Sequence, residues 1–138
     1  KDKPIRVIYN GSDFNIEITK HPDIIRQELG LKLNDVAIIM VARLDPWKDY
    51  DTLLETVKIV VNKNRRARFF IIGGGQIYKI ALEQNLVDRI YLTKIHHTFI
   101  GDTFFPELNS EWKEINREDC FSDEKNKYDY SFLVLEKK

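Results

Sequence analysis

The sequence predicts a single α/β domain of three layers, with a mixed, mostly parallel sheet and helices on both of its faces. Two apolar runs, "DVAIIMVARL" at 35–44 and "ARFFIIGGG" at 67–75, lack the alternation of a half-solvated strand. Such runs suit parallel strands buried on both faces. Between them, "YDTLLETVKIVVNKNRR" places Leu53, Leu54, Val57, Val60 and Val61 at helical spacing. Strand, helix and strand with short connections make a βαβ unit, whose crossover is right-handed in nearly all proteins. Near the C-terminus, "EWKEINRED" and "YDYSFLVLEKK" are separated only by the polar loop "SDEKNK". Two strands without a helix between them form a hairpin, which makes the sheet mixed.

The elements follow in order. "IRVIYNG" at 5–11 reads as a short strand closed by an Asn-Gly turn. "HPDIIRQELGL" reads as a helix with Pro22 in its first turn and Gly30 as its stop. After the βαβ unit, "QIYKIALEQNL" is a short helix and "VDRIYLTKIHH" a strand. The expected strand order is "ARFFII", "VAIIMVA", "RIYLTKI", "SFLVLEK", "WKEINRE", with "IRVIYN" at the edge opposite "WKEINRE". The first three strands are expected to be parallel. The helices after "VAIIMVARL" and after the glycines are expected on opposite faces, because right-handed crossovers that move in opposite directions across a sheet require it. No repeat, low-complexity segment or linker marks a second domain, so residues 1–138 are expected to form one.

Composition excludes several classes of function. The 22 lysines and arginines equal the 22 aspartates and glutamates, so no overall field draws the chain to nucleic acid or to an anionic membrane. No apolar run reaches the roughly 20 residues that span a bilayer, and "KDKPIRVIYN" lacks the apolar region of a signal peptide. The expectation is a soluble protein with no visible address, cytoplasmic when expressed, and with no partner. Cys120 is the only cysteine, which excludes an internal disulfide and a multi-cysteine metal site. No histidine lies near it in sequence to activate it as a nucleophile. His96 and His97, adjacent on a strand, point to opposite faces, and His21 is distant, so no metal site is expected. Trp47, Trp112, Phe104 and Phe105 read as packing groups, not stacking platforms for bases.

Two resemblances meet at the glycines. "VIYNGSDF" and then "ELGLKLNDVAIIMVARLDPWKDYDTLLETVKIVVNKNRRARFFIIGGG" resemble the nucleotide-sugar-binding domain of retaining glycosyltransferases related to sucrose and glycogen synthases. That resemblance implies that Arg43 and Lys48 meet a donor diphosphate, which two fixed cations beside a strand end would neutralise. From "IIGGGQIY" to the end, including "GDTFFP", the chain resembles the C-terminal half of dihydrofolate reductase. This second resemblance implies that Gly73, Gly74 and Gly75, with Gln76, Ile77 and Tyr78, lie against the pyrophosphate and nicotinamide ribose of NADPH. It also implies that Thr93 helps to bind the pterin.

Segment 1–72 is thus expected to be glycosyltransferase-like and 69–138 dihydrofolate-reductase-like, with the junction in the strand at 67–75. Their order implies an engineered chimera of two α/β proteins with no selected activity, no enzymatic function and no cofactor. The reductase family's acid, mobile loop, folate-tail arginine and 2′-phosphate cations belong to its N-terminal half. Asp51 and Glu55 fall in the glycosyltransferase-like helix and cannot be carried over as the acid. The glycosyltransferase acceptor domain and its later acidic motif are equally missing. The alternatives are a weak binder of phosphate, NADPH or a nucleoside diphosphate, and an NADPH-dependent reductase. For the glycines themselves two readings stay open, a tight turn permitting positive φ and an anion site at a helix start.

Overall fold

The structure, a computed structural model, describes residues 19–41 and 49–138. The strand expected at 5–11 and the residues Arg43, Trp47 and Lys48 lie outside the described residues. The chain divides into two compact units, 1–33 and 34–138.

In the first unit, α1 spans Pro22–Glu28. His21 caps it, its Nδ1 accepting from the Asp23 amide at 3.3 Å. The stop expected at Gly30 is present and has a clear cause. Gly30 adopts φ 65°, its N–H donates to the Gln27 carbonyl at 2.9 Å, and the Leu31 N–H donates to the Arg26 carbonyl at 2.8 Å. These are the paired bonds of a Schellman motif, which needs a residue without a β-carbon at the left-handed position.

The second unit begins with the expected βαβ segment: β1 (Val36–Val41), α2 (Tyr50–Lys63) and β2 (Ala67–Ile72). The strands pair in parallel from Val36 opposite Ala67 to Val41 opposite Ile72. The Asp49 side chain caps α2 by accepting from the Thr52 amide at 3.3 Å. At the start of the ladder the buried carboxylate of Asp35 pairs with Arg68, Nε to Oδ2 3.6 Å. Helix α3 (Gly75–Glu83) follows the glycines, and then β3 (Arg89–Ile95), β4 (Trp112–Cys120) and β5 (Tyr130–Lys137).

The last three strands form an antiparallel sheet in the order β3-β5-β4, as the hairpin pattern predicts. Arg89 stands opposite Glu136 and forms an ion pair with it across the strands. A bulge between Glu114 and Asn116 places Ile115 out of register on β4.

The expectation of one mostly parallel sheet is corrected. Among the described residues there is a two-stranded parallel sheet, β1-β2, and a separate three-stranded antiparallel one. No ladder joins β1 to β3, so among the described residues the parallel content is a single strand pair. β1 is not buried on both faces either, since Ile39 is 56% and Val41 71% exposed. An apolar strand is covered only when neighbours flank it and helices lie on both sides.

The core joins α2 to α3. Tyr50 and Leu54 from α2 cluster with Ile77 and Ala81 from α3, and Met40 of β1 and Ile71 of β2 pack against them. Met40 and Ile71 are register partners, so they lie on one face of the ladder. Helices on opposite faces are therefore not what the structure has, because both contribute to one cluster. Of the apolar positions at helical spacing on α2, Leu54 and Val57 are buried and Val61 is exposed.

Leu54 is 1% exposed, and Leu54→Ala should lower unfolding free energy by about 2–5 kcal/mol. Val61→Ala, on the solvated side of the same helix, should change it by no more than about 0.5 kcal/mol. Urea denaturation of both variants checks the assignment, and equal losses would show that the buried face of α2 is wrongly placed.

Candidate functional site

The candidate site is the turn where β2 becomes α3. β2 ends at Ile72, and Gly74 is the N-cap of the helix with φ −58° and ψ 169° and no side-chain cap. The first N–H groups of a helix have no intrahelical acceptor. No acidic residue occupies the first turn of α3, so its positive dipole end is not neutralised from within the helix. Further along that turn, the Ile77 N–H donates to the Gly74 carbonyl at 3.1 Å and closes the helix.

Positive φ is not the reason for the three glycines. Among the described residues Gly30 is the only glycine with positive φ. What the turn uses is the missing β-carbon. One built on Gly75 would stand 2.9 Å from Thr103 Cγ2 and 3.4 Å from the Phe104 carbonyl oxygen, whereas one on Gly74 would meet nothing within 4 Å. Gly74 therefore leaves the turn open to an approaching group, and Gly75 lets a loop pack against the helix start.

The neighbouring residues divide by role. The Gly73 N–H donates to the Tyr78 hydroxyl oxygen at 3.1 Å. The Tyr78 ring lies against Phe105, with centroids 5.8 Å apart and planes at 54°. Gln76 is exposed. The Ile77 side chain is fully buried in the core, so only its backbone can face a ligand. Gly75 and Gln76 open onto a cleft of about 640 Å³ bounded by α3 and by the 102–109 loop. Thr93 lines a different cleft, of about 440 Å³, with Ile95, Tyr130 and Phe132. The structure does not bring Thr93 and the glycine turn into one cavity. Phe104 is 77% exposed and is no packing group, whereas Phe105 is one, through Tyr78. This part played by Thr103 and Phe105 escaped the sequence reading, although "GDTFFP" had marked the loop.

A second polar group lies at the other end of the antiparallel sheet. Ser131, fully buried, donates to Asp119 Oδ1 at 2.5 Å and meets His96 Nε2 at 2.8 Å. His97 stacks on Tyr128, with centroids 4.1 Å apart. The two histidines thus serve separate contacts, and no group of three or more His, Cys, Asp or Glu among the described residues is placed to hold a metal. No described helix is long and apolar enough to cross a membrane.

Comparison with known proteins gives the family. The dihydrofolate reductase family model matches residues 30–137. Dihydrofolate reductase of Staphylococcus haemolyticus is 52% identical over 69 residues, which cover 49% of this chain and 40% of that protein. The enzyme of Bacillus subtilis (strain 168) is 51% identical over 70 residues, covering 50% of this chain and 40% of its own length. Among solved structures, dihydrofolate reductase from Enterococcus faecalis complexed with NADP(H) and RAB-propyl is 36% identical. It has a TM-score of 0.45 and covers 50% of this chain and 40% of its own. The chain belongs to the dihydrofolate reductase family. It spans about 40% of the length of these relatives.

Three expectations are corrected by this result. The family match spans the expected junction at 67–75 and includes β1 and α2, the elements assigned to a glycosyltransferase, so the engineered chimera is withdrawn. A protein without an enzymatic role does not accord with membership in a reductase family. The expectation of no cofactor rested on the chimera reading and is withdrawn with it.

Acid should loosen the antiparallel sheet. The Ser131 hydroxyl, and then Arg117, hold the Asp119 carboxyl below its usual range; Arg117 does the same for Glu114. The backbone N–H groups of Asn126 and Lys125 hold down Asp123 in the hairpin loop. Each folded-state pKa lies below its unfolded value, so the stabilisation is present above about pH 4 and is lost as pH falls through the folded values. Urea midpoints should fall between about pH 5 and pH 3, and less steeply in Ser131→Ala, where Asp119 loses its main stabilising donor. An identical slope in Ser131→Ala would overturn the assignment of Asp119.

Proposed function

We propose that this chain serves the NADPH-dependent reduction of dihydrofolate, and that Gly73, Gly74 and Gly75 with the start of α3 seat the cofactor's pyrophosphate. The observation that carries the proposal is an uncapped helix N-terminus, free of acidic residues in its first turn, behind a glycine with open space around it. A helix end of this kind presents N–H groups and about half a positive charge to an anion. Family membership supplies the identity of the anion.

NADPH, when bound, supplies a hydride. The chain's own residues hold and orient it. The amides of Gly75 and Gln76 face the phosphates. Tyr78, whose hydroxyl oxygen accepts from Gly73, keeps its own O–H free to donate towards the ribose. Thr93, exposed on β3 opposite Phe132, offers a hydroxyl to the pterin. Asp51 and Glu55 are exposed on α2, and Glu55 is paired with Lys58 at 2.7 Å, so neither is assigned the proton transfer.

An NMR titration with NADPH at low salt should shift the amides of Gly74, Gly75 and Gln76 before those of the Leu133 and Leu135 strand. Because the contact is exposed, raising ionic strength from about 0.01 M to about 1 M, which shortens the screening length from about 30 to about 3 Å, should weaken it steeply. Loss of NADPH absorbance should require added dihydrofolate. Shifts confined to other residues, or NADPH consumption indifferent to dihydrofolate, would count against the proposal.

A further inference from the structure

We propose that Thr103 and Phe105 are positioning residues for the glycine turn: the loop that carries them grips both ends of the turn and sets where its N–H groups point. As a statement about cofactor binding this rests on the reading of the turn as the phosphate seat. As a statement about geometry it stands on the contacts alone.

The first grip is at Gly75. With a β-carbon there only 2.9 Å from Thr103 Cγ2, the Thr103 methyl occupies the space that any larger residue would need. Thr103 Oγ1 in turn donates to Asp102 Oδ1 at 3.1 Å. Oγ1 and Cγ2 share one carbon, so anchoring the hydroxyl fixes the direction of the methyl. The second grip is at Gly73. Its N–H is held by the Tyr78 hydroxyl oxygen, and the Tyr78 ring is held by Phe105. Between the grips, a β-carbon on Gly74 would meet nothing within 4 Å. The turn is therefore clamped at both ends and open in the middle. Neither Thr103 nor Phe105 brings a charge, so their effect is one of placement.

In the ligand-free chain, Thr103→Ser removes the methyl and Thr103→Val keeps one. Phe105→Leu removes the ring and Phe105→Tyr keeps it. The Ser and Leu variants should shift the Gly73 and Gly75 amide resonances and speed hydrogen exchange at Gly73; Phe105→Tyr should resemble the parent, and Thr103→Val, which keeps the methyl but loses its anchor to Asp102, should shift Gly75 less than Ser does. Reciprocally, Gly75→Ala should move the Thr103 methyl resonance and Gly74→Ala should not. Affinity for NADPH and for inorganic pyrophosphate should fall about tenfold in the Ser and Leu variants, in line with the sensitivity of bound ligands to small misplacements. The proposal is overturned if Ser and Val behave alike at Gly75, or if the Gly73 amide ignores loss of the Phe105 ring. Should the parent fail to bind NADPH, the reading of the turn falls, and the amide measurements still decide whether the grip exists.

Discussion

The burial of Ile77 is the constraint on which the rest of the second unit depends. This side chain sits just past the glycines, fully buried, in contact with the cluster of Tyr50, Leu54 and Ala81. Burying a side chain of this size contributes about 1.5–3 kcal/mol, and it fixes the rotation of α3 about its axis. With Ile77 facing inward, Gln76 faces out. The open amides of the first turn then lie at the end of the β1-β2 ladder. Packing and the presentation of open amides are thus coupled: the same helix turn that supplies the core residue presents the N–H groups.

That coupling explains why the local pattern was legible, and why two families met at the glycines. Apolar strand, glycine and amphipathic helix are what any βα turn of this geometry requires, so "FFIIGGG" fits two families equally well on local grounds. The elements of the βαβ segment and the stop at Gly30 follow from neighbouring residues. Each depends on contacts a few residues apart. The resemblance of 69–138 to dihydrofolate reductase was legible as well, and the family model extends it over 30–137, where the glycosyltransferase reading had stood.

Features that depend on distant partners were misread. "VAIIMV" carries the composition of a strand covered on both faces, yet Ile39 and Val41 are exposed because β1 has a single strand neighbour among the described residues. Strand composition reports what a strand could bury, not what lies beside it. The β3-β5-β4 order succeeded because a hairpin constrains β4 and β5 locally and leaves only β3 to be placed. Likewise, of the two readings left open for the three glycines, positive φ is not what the structure uses; it uses close approach at Gly75 and leaves open space at Gly74. The sequence shows that a β-carbon is missing; only the loop at Thr103 shows why.

The Ser131 group illustrates how a proton count decides between a structural and a catalytic reading. Serine, histidine and aspartate within hydrogen-bond distance invite comparison with a hydrolytic triad. In a triad the serine donates to the histidine and the histidine donates to the carboxylate. Here the serine is central, bonded to Asp119 Oδ1 and His96 Nε2. Asp119, its pKa held down chiefly by the Ser131 hydroxyl, is an ionised acceptor, so the single Ser131 proton goes to it. His96 must therefore donate through Nε2–H, because a hydroxyl has no second proton to offer. A serine that gives its proton to a carboxylate and receives one from an imidazole has no base to activate it, and its full burial removes it from any substrate. The group instead ties the residue after β3 to β4 through β5, at the same end of the sheet where the side chains of Cys120 and Tyr130 join β4 to β5.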